Sequence, residues 1–130
     1  MIDRARSTLY KGIRMRSRLE ASFAAALDSS GFTWRYEPNC FADETGQYLP
    51  DFVMVNGNYL DYIEIKPPTA DFASALRLMH TIRSSEPEAN LYVATPTGTY
   101  PRQGWVIPAR CVAVDEYDLC ALCRAKKDTP

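Results

Sequence analysis

Asp51, Glu64 and Lys66 are the residues of this chain best suited by type and spacing to chemistry: two carboxylates thirteen positions apart, and an ammonium two positions further on. Such acids suit Mg²⁺, which is held by one or two carboxylates and leaves its other positions to waters and substrate phosphate oxygens. Phosphodiester cleavage asks for charge neutralisation on the phosphate, a hydroxide at neutral pH and a stabilised leaving oxygen. One or two metal ions can supply all three. Lys66 would add a fixed positive charge where negative charge develops, and its neighbours decide whether it also titrates as a base.

A hairpin must bring these residues together. Asn56-Gly57 lies between β-prone runs, and both positions tolerate the positive φ of a type I′ turn. With that pair as the turn, Val55 faces Asn58 and Asp51 faces Tyr62. The two-residue side-chain period then puts Tyr62, Glu64 and Lys66 on the face of Asp51. Strands over 48–55 and 59–66 follow. Both carry apolar residues in both phases: Phe52 and Met54 with Ile63 and Ile65 on one side, Val53 and Val55 with Leu60 on the other. That pattern predicts a sheet covered on both faces, where charged groups are costly unless paired or bound to metal. It favours a metal site over a polar stripe on an exposed sheet face.

Upstream, residues from about 16 to 30 show helical spacing in Leu19, Phe23, Ala26 and Leu27, with Gly31 ending the helix. Glu20 lies at the edge of the apolar stripe, where it can point into a cleft; its other use is a solvated pair with Arg16. Glu37 is an auxiliary acid or a strand-edge cap.

The wording around these residues resembles the PD-(D/E)XK nuclease superfamily: Ser17-Arg18-Leu19-Glu20, Tyr36-Glu37-Pro38, Tyr48-Leu49-Pro50-Asp51-Phe52 and Tyr62-Ile63-Glu64-Ile65-Lys66-Pro67. It is similar to small phage-type endonucleases and to the endonuclease subunit of heteromeric transposases, over residues 16 to 95. The resemblance implies a restriction-endonuclease-like α/β core, a mixed central sheet flanked by helices in the order α-β-β-β-α-β with C-terminal additions. It implies an Mg²⁺-dependent endodeoxyribonuclease, with Mn²⁺ able to substitute, that hydrolyses DNA by metal-activated water attack. Asp51, Glu64 and the backbone carbonyl of Ile65 would ligate the metal. Lys66 would position the attacking water, and Glu20 would bind a second metal or orient a water. The alternative is a non-catalytic DNA-binding or assembly subunit on the same fold, and the sugar of the nucleic acid stays open because a metal site acts on phosphates.

The 130 residues fit one domain with a real core and little room for a specificity module, so cutting both strands would call for a homodimer or a larger nucleoprotein assembly. Hydrophobic residues make up 46% and charged residues 24%, an ordinary globular balance. No apolar run approaches a membrane span, and the basic start lacks the apolar core of a secretory signal, so the expectation is a cytoplasmic protein. The net charge of −1 hides an asymmetry. Residues 1–18 hold Arg4, Arg6, Lys11, Arg14, Arg16 and Arg18 against Asp3, six basic against one acidic, giving +5 and leaving −6 elsewhere. This arm, about 1–15 and running into the first helix, is either a phosphate-tracking DNA contact or a solvated, frayed terminus.

The remaining punctuation predicts a strand over 33–37, a polar connection over 38–46, and a helix over about 71–85 capped by Thr69 or Asp71 after Pro67-Pro68. A buried strand over 91–94 would pair in parallel with 59–66. A loop over 96–104, short edge strands at 105–107 and 111–114, and a helix over 115–127 complete the chain. Cys120-x-x-Cys123 is a single pair without matching partners, so the four cysteines read as reduced thiols. His80, alone on its helix, is given no catalytic role. Most of the eight tyrosines read as core and strand residues.

Overall fold

The two apolar phases of the central hairpin become two cores on opposite faces of one sheet. In a computed structural model that describes residues 7–44, 46–113 and 122, the chain is a mixed α/β fold. Its elements are β1 (Thr8–Tyr10), β2 (Ile13–Met15), α1 (Arg18–Ser29), β3 (Trp34–Tyr36), β4 (Phe41–Asp43), β5 (Gly46–Tyr48), β6 (Phe52–Asn56), β7 (Tyr59–Ile65), α2 (Phe72–Ser85), β8 (Asn90–Thr97) and β9 (Gly104–Cys111). The main sheet has the order β3-β6-β7-β8-β9, antiparallel throughout except for the parallel β7–β8 pair that α2 connects.

On one face, α1 and β2 bring Phe23, Ala24, Leu27 and Met15 against Phe52, Met54, Ile63 and Ala94. Phe52, fully buried, takes edge contacts from Phe23, Trp34 and Tyr36 at ring separations of 5.2, 5.6 and 5.4 Å. On the other face, Leu76, Met79 and Ile82 of α2 pack on Val53, Tyr62, Leu91 and Val93, with Phe41 and Tyr48 of the β4–β5 hairpin beside them. Burying a side chain of this size contributes about 1.5–3 kcal/mol, so the clusters dominate the cohesion of the fold.

The central hairpin turns two places away from the expected register. Asn56 pairs with Tyr59 and Phe52 with Ile63, so Gly57-Asn58 is the turn. The physical reason is visible. The Asn56 side-chain amide donates to buried Asp61 at 3.1 Å and anchors Asn56 in the strand, while Gly57 takes the first central position with φ +62°, where a type II′ turn needs glycine. Because the pairing moves by an even number, every paired side chain keeps its face, and the ladder ends at Phe52–Ile63, with Asp51 and Glu64 the next residue on either strand.

Other expectations change for equally local reasons. The strand foreseen over 48–55 is split by Pro50, which lacks an N–H, so Tyr48 belongs to a small β4–β5 hairpin inside the presumed polar connection. The two edge strands near the C-terminus are one strand, β9, running through Pro108, as an outermost strand permits. Residues 8–15 of the basic segment form the β1–β2 hairpin, with Lys11 (φ +48°) and Gly12 (φ +82°) at its turn, rather than a frayed end. Arg4, Arg6, the helix foreseen over 115–127 with its cysteine pair, and the final residues lie outside the described residues, apart from Leu122, which packs against the α2-side core. Cys40 and Cys111 form no disulfide. Among the described residues, no helix is long and apolar enough to cross a membrane.

Candidate metal centre

Ser17 starts α1 at the place where Glu20 is needed. Its hydroxyl accepts the Glu20 amide at 3.1 Å and donates to Glu20 Oε1 at 3.3 Å, so the N-cap residue holds both the backbone and the side chain of Glu20. Capping alone would leave the carboxylate in water, yet Glu20 is buried. Tyr36 explains this. Its hydroxyl donates to Glu20 Oε1 at 3.0 Å and accepts the Arg16 amide at 2.9 Å, tying β3 to the start of α1.

Asp51 occupies the bend between Pro50 and β6 and is 5% exposed. The Ile65 amide donates to its Oδ2 at 2.7 Å, so the backbone of β7 runs against this carboxyl, and the Ile65 carbonyl expected to face a metal belongs to the same short stretch. Glu64, also buried, accepts the Tyr48 hydroxyl on Oε1 at 2.7 Å. Lys66 follows β7, its amide donating to the Ala94 carbonyl at 3.0 Å, and its Nζ stands 3.6 Å from Glu64 Oε2. All four residues expected to be catalytic, Glu20, Asp51, Glu64 and Lys66, therefore belong to one connected patch at the end of the β6–β7 pair.

A residue assigned by sequence to the basic arm completes it. The Arg16 guanidinium reaches Asp51 Oδ1 at 2.9 Å, Glu37 Oε2 at 2.7 Å and Glu20 Oε2 at 3.7 Å. Glu37 itself has φ +44°, a conformation that costs a non-glycine residue about 1–3 kcal/mol, and its amide donates to the Asp51 carbonyl at 2.8 Å. Backbone strain is thus held where Glu37 meets Arg16. Among the described residues no three of His, Cys, Asp and Glu form a metal-ligand cluster in this arrangement, and Arg16 lies between the acids instead.

The charge balance shows what the patch can accept. Among the described residues, Glu20, Glu37, Asp51 and Glu64 pair only with Arg16 and Lys66, so this set, fully ionised, has two negative charges in excess. Burial first, then the Glu64 charge, pushes the Asp51 carboxyl up to about 9, the Ile65 amide and Arg16 opposing. The Tyr48 hydroxyl is raised by burial and by Glu64, which keeps it a donor. Burial lowers the Arg16 pKa, but its link to Tyr36 and the charges of Asp51, Glu20 and Glu37 outweigh this and hold it above the usual range. Hard oxygen donors with a net negative charge are of the kind that could hold a divalent cation such as Mg²⁺, once the Asp51 proton is displaced.

The other expected phosphate contacts among the described residues lie elsewhere. Lys11 pairs with Asp28 at 2.9 Å, Arg14 donates to Ser7, and the Arg18 guanidinium lies 5.1 Å over the Tyr100 ring. His80 is buried on the core side of α2. Sequence reasoning gave Arg16 as a phosphate contact or a surface partner of Glu20, and Tyr36 and Tyr48 chiefly as core and strand residues near the predicted cleft, not as residues that hold the acids. The i,i+4 spacing of Arg16 and Glu20 was the one available signal, and it reads equally as a surface pair. In comparison with known proteins, the chain matches no family model and no curated protein.

Proposed function

We propose that this protein is a divalent-metal-dependent endonuclease that hydrolyses DNA phosphodiester bonds, on a restriction-endonuclease-like core of the PD-(D/E)XK type. The observation that carries the reading is the joining of buried Glu20, Asp51 and Glu64 with Lys66 in one patch of excess negative charge. A buried acid with raised titration inside a charge cluster, as Asp51 is, is a recurrent mark of reactive sites. The resemblance of the motifs around residues 16–95 supports the same class.

Asp51, Glu64 and the Ile65 carbonyl would hold Mg²⁺, or Mn²⁺ in its place. When bound, such an ion supplies charge neutralisation at a phosphate and an acidified water. Tyr48 fixes the direction of Glu64, and the Ile65 amide fixes Asp51. Lys66, partly exposed beside Glu64, offers positive charge to a phosphate oxygen or to the water that attacks it. Glu20 is held ready from α1 by Tyr36 and Ser17. A cytoplasmic location and action as a homodimer or within a nucleoprotein assembly fit this function.

The test is incubation of supercoiled plasmid and branched DNA with Mg²⁺, Mn²⁺ or EDTA, wild type beside Asp51→Ala. Metal-dependent nicking that disappears in the variant is the expected result. Metal-independent DNA binding, with no product under any metal condition, would replace the enzyme by a binding or assembly subunit.

A further inference from the structure

The two sides of the metal centre differ in how their oxygens are engaged. On the α1 side one guanidinium spans three acids: Arg16 Nη2 reaches Asp51 Oδ1 at 2.9 Å and Arg16 Nε reaches Glu37 Oε2 at 2.7 Å, both at hydrogen-bond distance, while Nη2 stands 3.7 Å from Glu20 Oε2, and Glu20 Oε1 accepts from Tyr36 and Ser17. On the β7 side no guanidinium spans the acids among the described residues: Asp51 Oδ2 accepts the Ile65 amide at 2.7 Å, Glu64 Oε1 accepts the Tyr48 hydroxyl at 2.7 Å, and Glu64 Oε2 faces the Lys66 ammonium at 3.6 Å. A guanidinium presents donors in a planar fork and keeps its charge at any physiological pH, so it can bridge several carboxylates as an ion would, without exchanging. Its placement is reinforced from the backbone, since the Arg16 amide donates to the same Tyr36 hydroxyl that holds Glu20.

We infer that Arg16 stands permanently in the place of a second divalent ion, bridging Glu20, Glu37 and Asp51, so that the protein takes one metal ion, on the Asp51–Glu64 side. This rests on the metal reading above and narrows it: Glu20 is a positioning residue acting through Arg16, not a ligand. The charges agree. With Arg16 and Lys66 in place the ionised patch lacks two positive charges, which one divalent ion supplies. Removing the guanidinium would leave Glu20, Glu37 and Asp51 uncompensated and open a second site.

The experiment is Mn²⁺ binding to the full chain without DNA, followed by electron paramagnetic resonance of the free ion, for wild type, Arg16→Met, Arg16→Lys and Arg16→Met/Glu20→Gln. Circular dichroism checks each fold, and Arg16→Gln replaces Arg16→Met if that variant does not fold. The expected stoichiometries are one Mn²⁺ for wild type, two for Arg16→Met, one for Arg16→Lys and one for the double variant. Two ions on wild type, or a single ion on both wild type and a folded Arg16→Met, would overturn the inference and leave the metal site standing. No ion on wild type would sink the metal site itself, and the inference with it.

Discussion

The Tyr48 hydroxyl donates to Glu64 Oε1 at 2.7 Å, joining the small β4–β5 hairpin to the second acid of the central strand pair. Both side chains are buried, so this hairpin forms part of the wall behind the site rather than a surface excursion. Glu64 is thereby aimed by a residue sixteen positions upstream.

Tyr48→Phe keeps the ring and its packing while removing the donor. A buried carboxylate oxygen left without its partner costs about 1–3 kcal/mol, and loss of an outer-shell hydrogen bond to a ligand typically weakens metal affinity about 10–100-fold. The expected outcome is a lower melting temperature together with a rightward shift of the Mn²⁺ titration. A variant with unchanged Mn²⁺ affinity would remove Tyr48 from the site.

Lys66→Ala and Asp51→Asn separate chemistry from folding. Lys66 is partly exposed and Asp51→Asn is nearly isosteric, so both variants should retain the wild-type circular dichroism spectrum. Each should lower plasmid nicking by about 100-fold or more, the scale of removing one preorganised charge from a transition state. Single-turnover rates at saturating Mg²⁺ measure this, and a decrease under tenfold for both would leave the patch without a role in the reaction.

The Asp51 carboxyl also predicts a pH dependence. Its folded pKa, raised to about 9 by burial and Glu64, exceeds its unfolded value near 3.8, so the folded state binds the proton more tightly. Its contribution to stability is complete below about pH 4 and is lost as pH rises toward about 9, at no more than roughly 1.4 kcal/mol per pH unit. In EDTA, wild type should lose melting temperature relative to Asp51→Asn between pH 5 and 9, values inside that window. Mg²⁺ must displace the same proton, so its affinity should rise with pH over the same range. Parallel melting curves of the two proteins across that range would show that Asp51 ionises normally.

Much of this was legible in the sequence, for reasons that also mark where legibility ends. Asp51, Glu64 and Lys66 could be placed on one face because strand alternation has a period of two, and an error of two in the register does not change it. The helices at 18–29 and 72–85 followed from apolar periodicity and from caps such as Asp71. The β4–β5 hairpin was hidden because its strands have three residues each, too short to show alternation, and the β1–β2 hairpin because its Lys11 and Arg14 read as part of a charge run. Arg16 was legible only in part: local spacing gave its pairing with Glu20, whereas its contacts to Glu37 and Asp51 span 21 and 35 positions and depend on tertiary placement.

Asp28 offers a last test, because it fastens the β1–β2 hairpin to α1. Its carboxylate accepts from the Tyr10 hydroxyl at 2.6 Å and the Trp34 indole at 2.8 Å, and pairs with Lys11 at 2.9 Å. These partners, the Tyr10 bond foremost, hold its pKa down to about 2. The folded value lies below the unfolded one, so the contribution is present above about pH 4 and is lost as pH falls through about 2. Asp28→Ala should therefore raise amide hydrogen exchange over residues 8–15 at neutral pH, and the difference from wild type should vanish in strong acid. The effect should extend to Arg16, since fully buried Met15 immediately precedes it and a loosened hairpin frees the guanidinium's backbone anchor. Unchanged exchange over 8–16 in Asp28→Ala would mean that the hairpin is held by Met15 packing alone, and that Arg16 is positioned by the carboxylates it bridges.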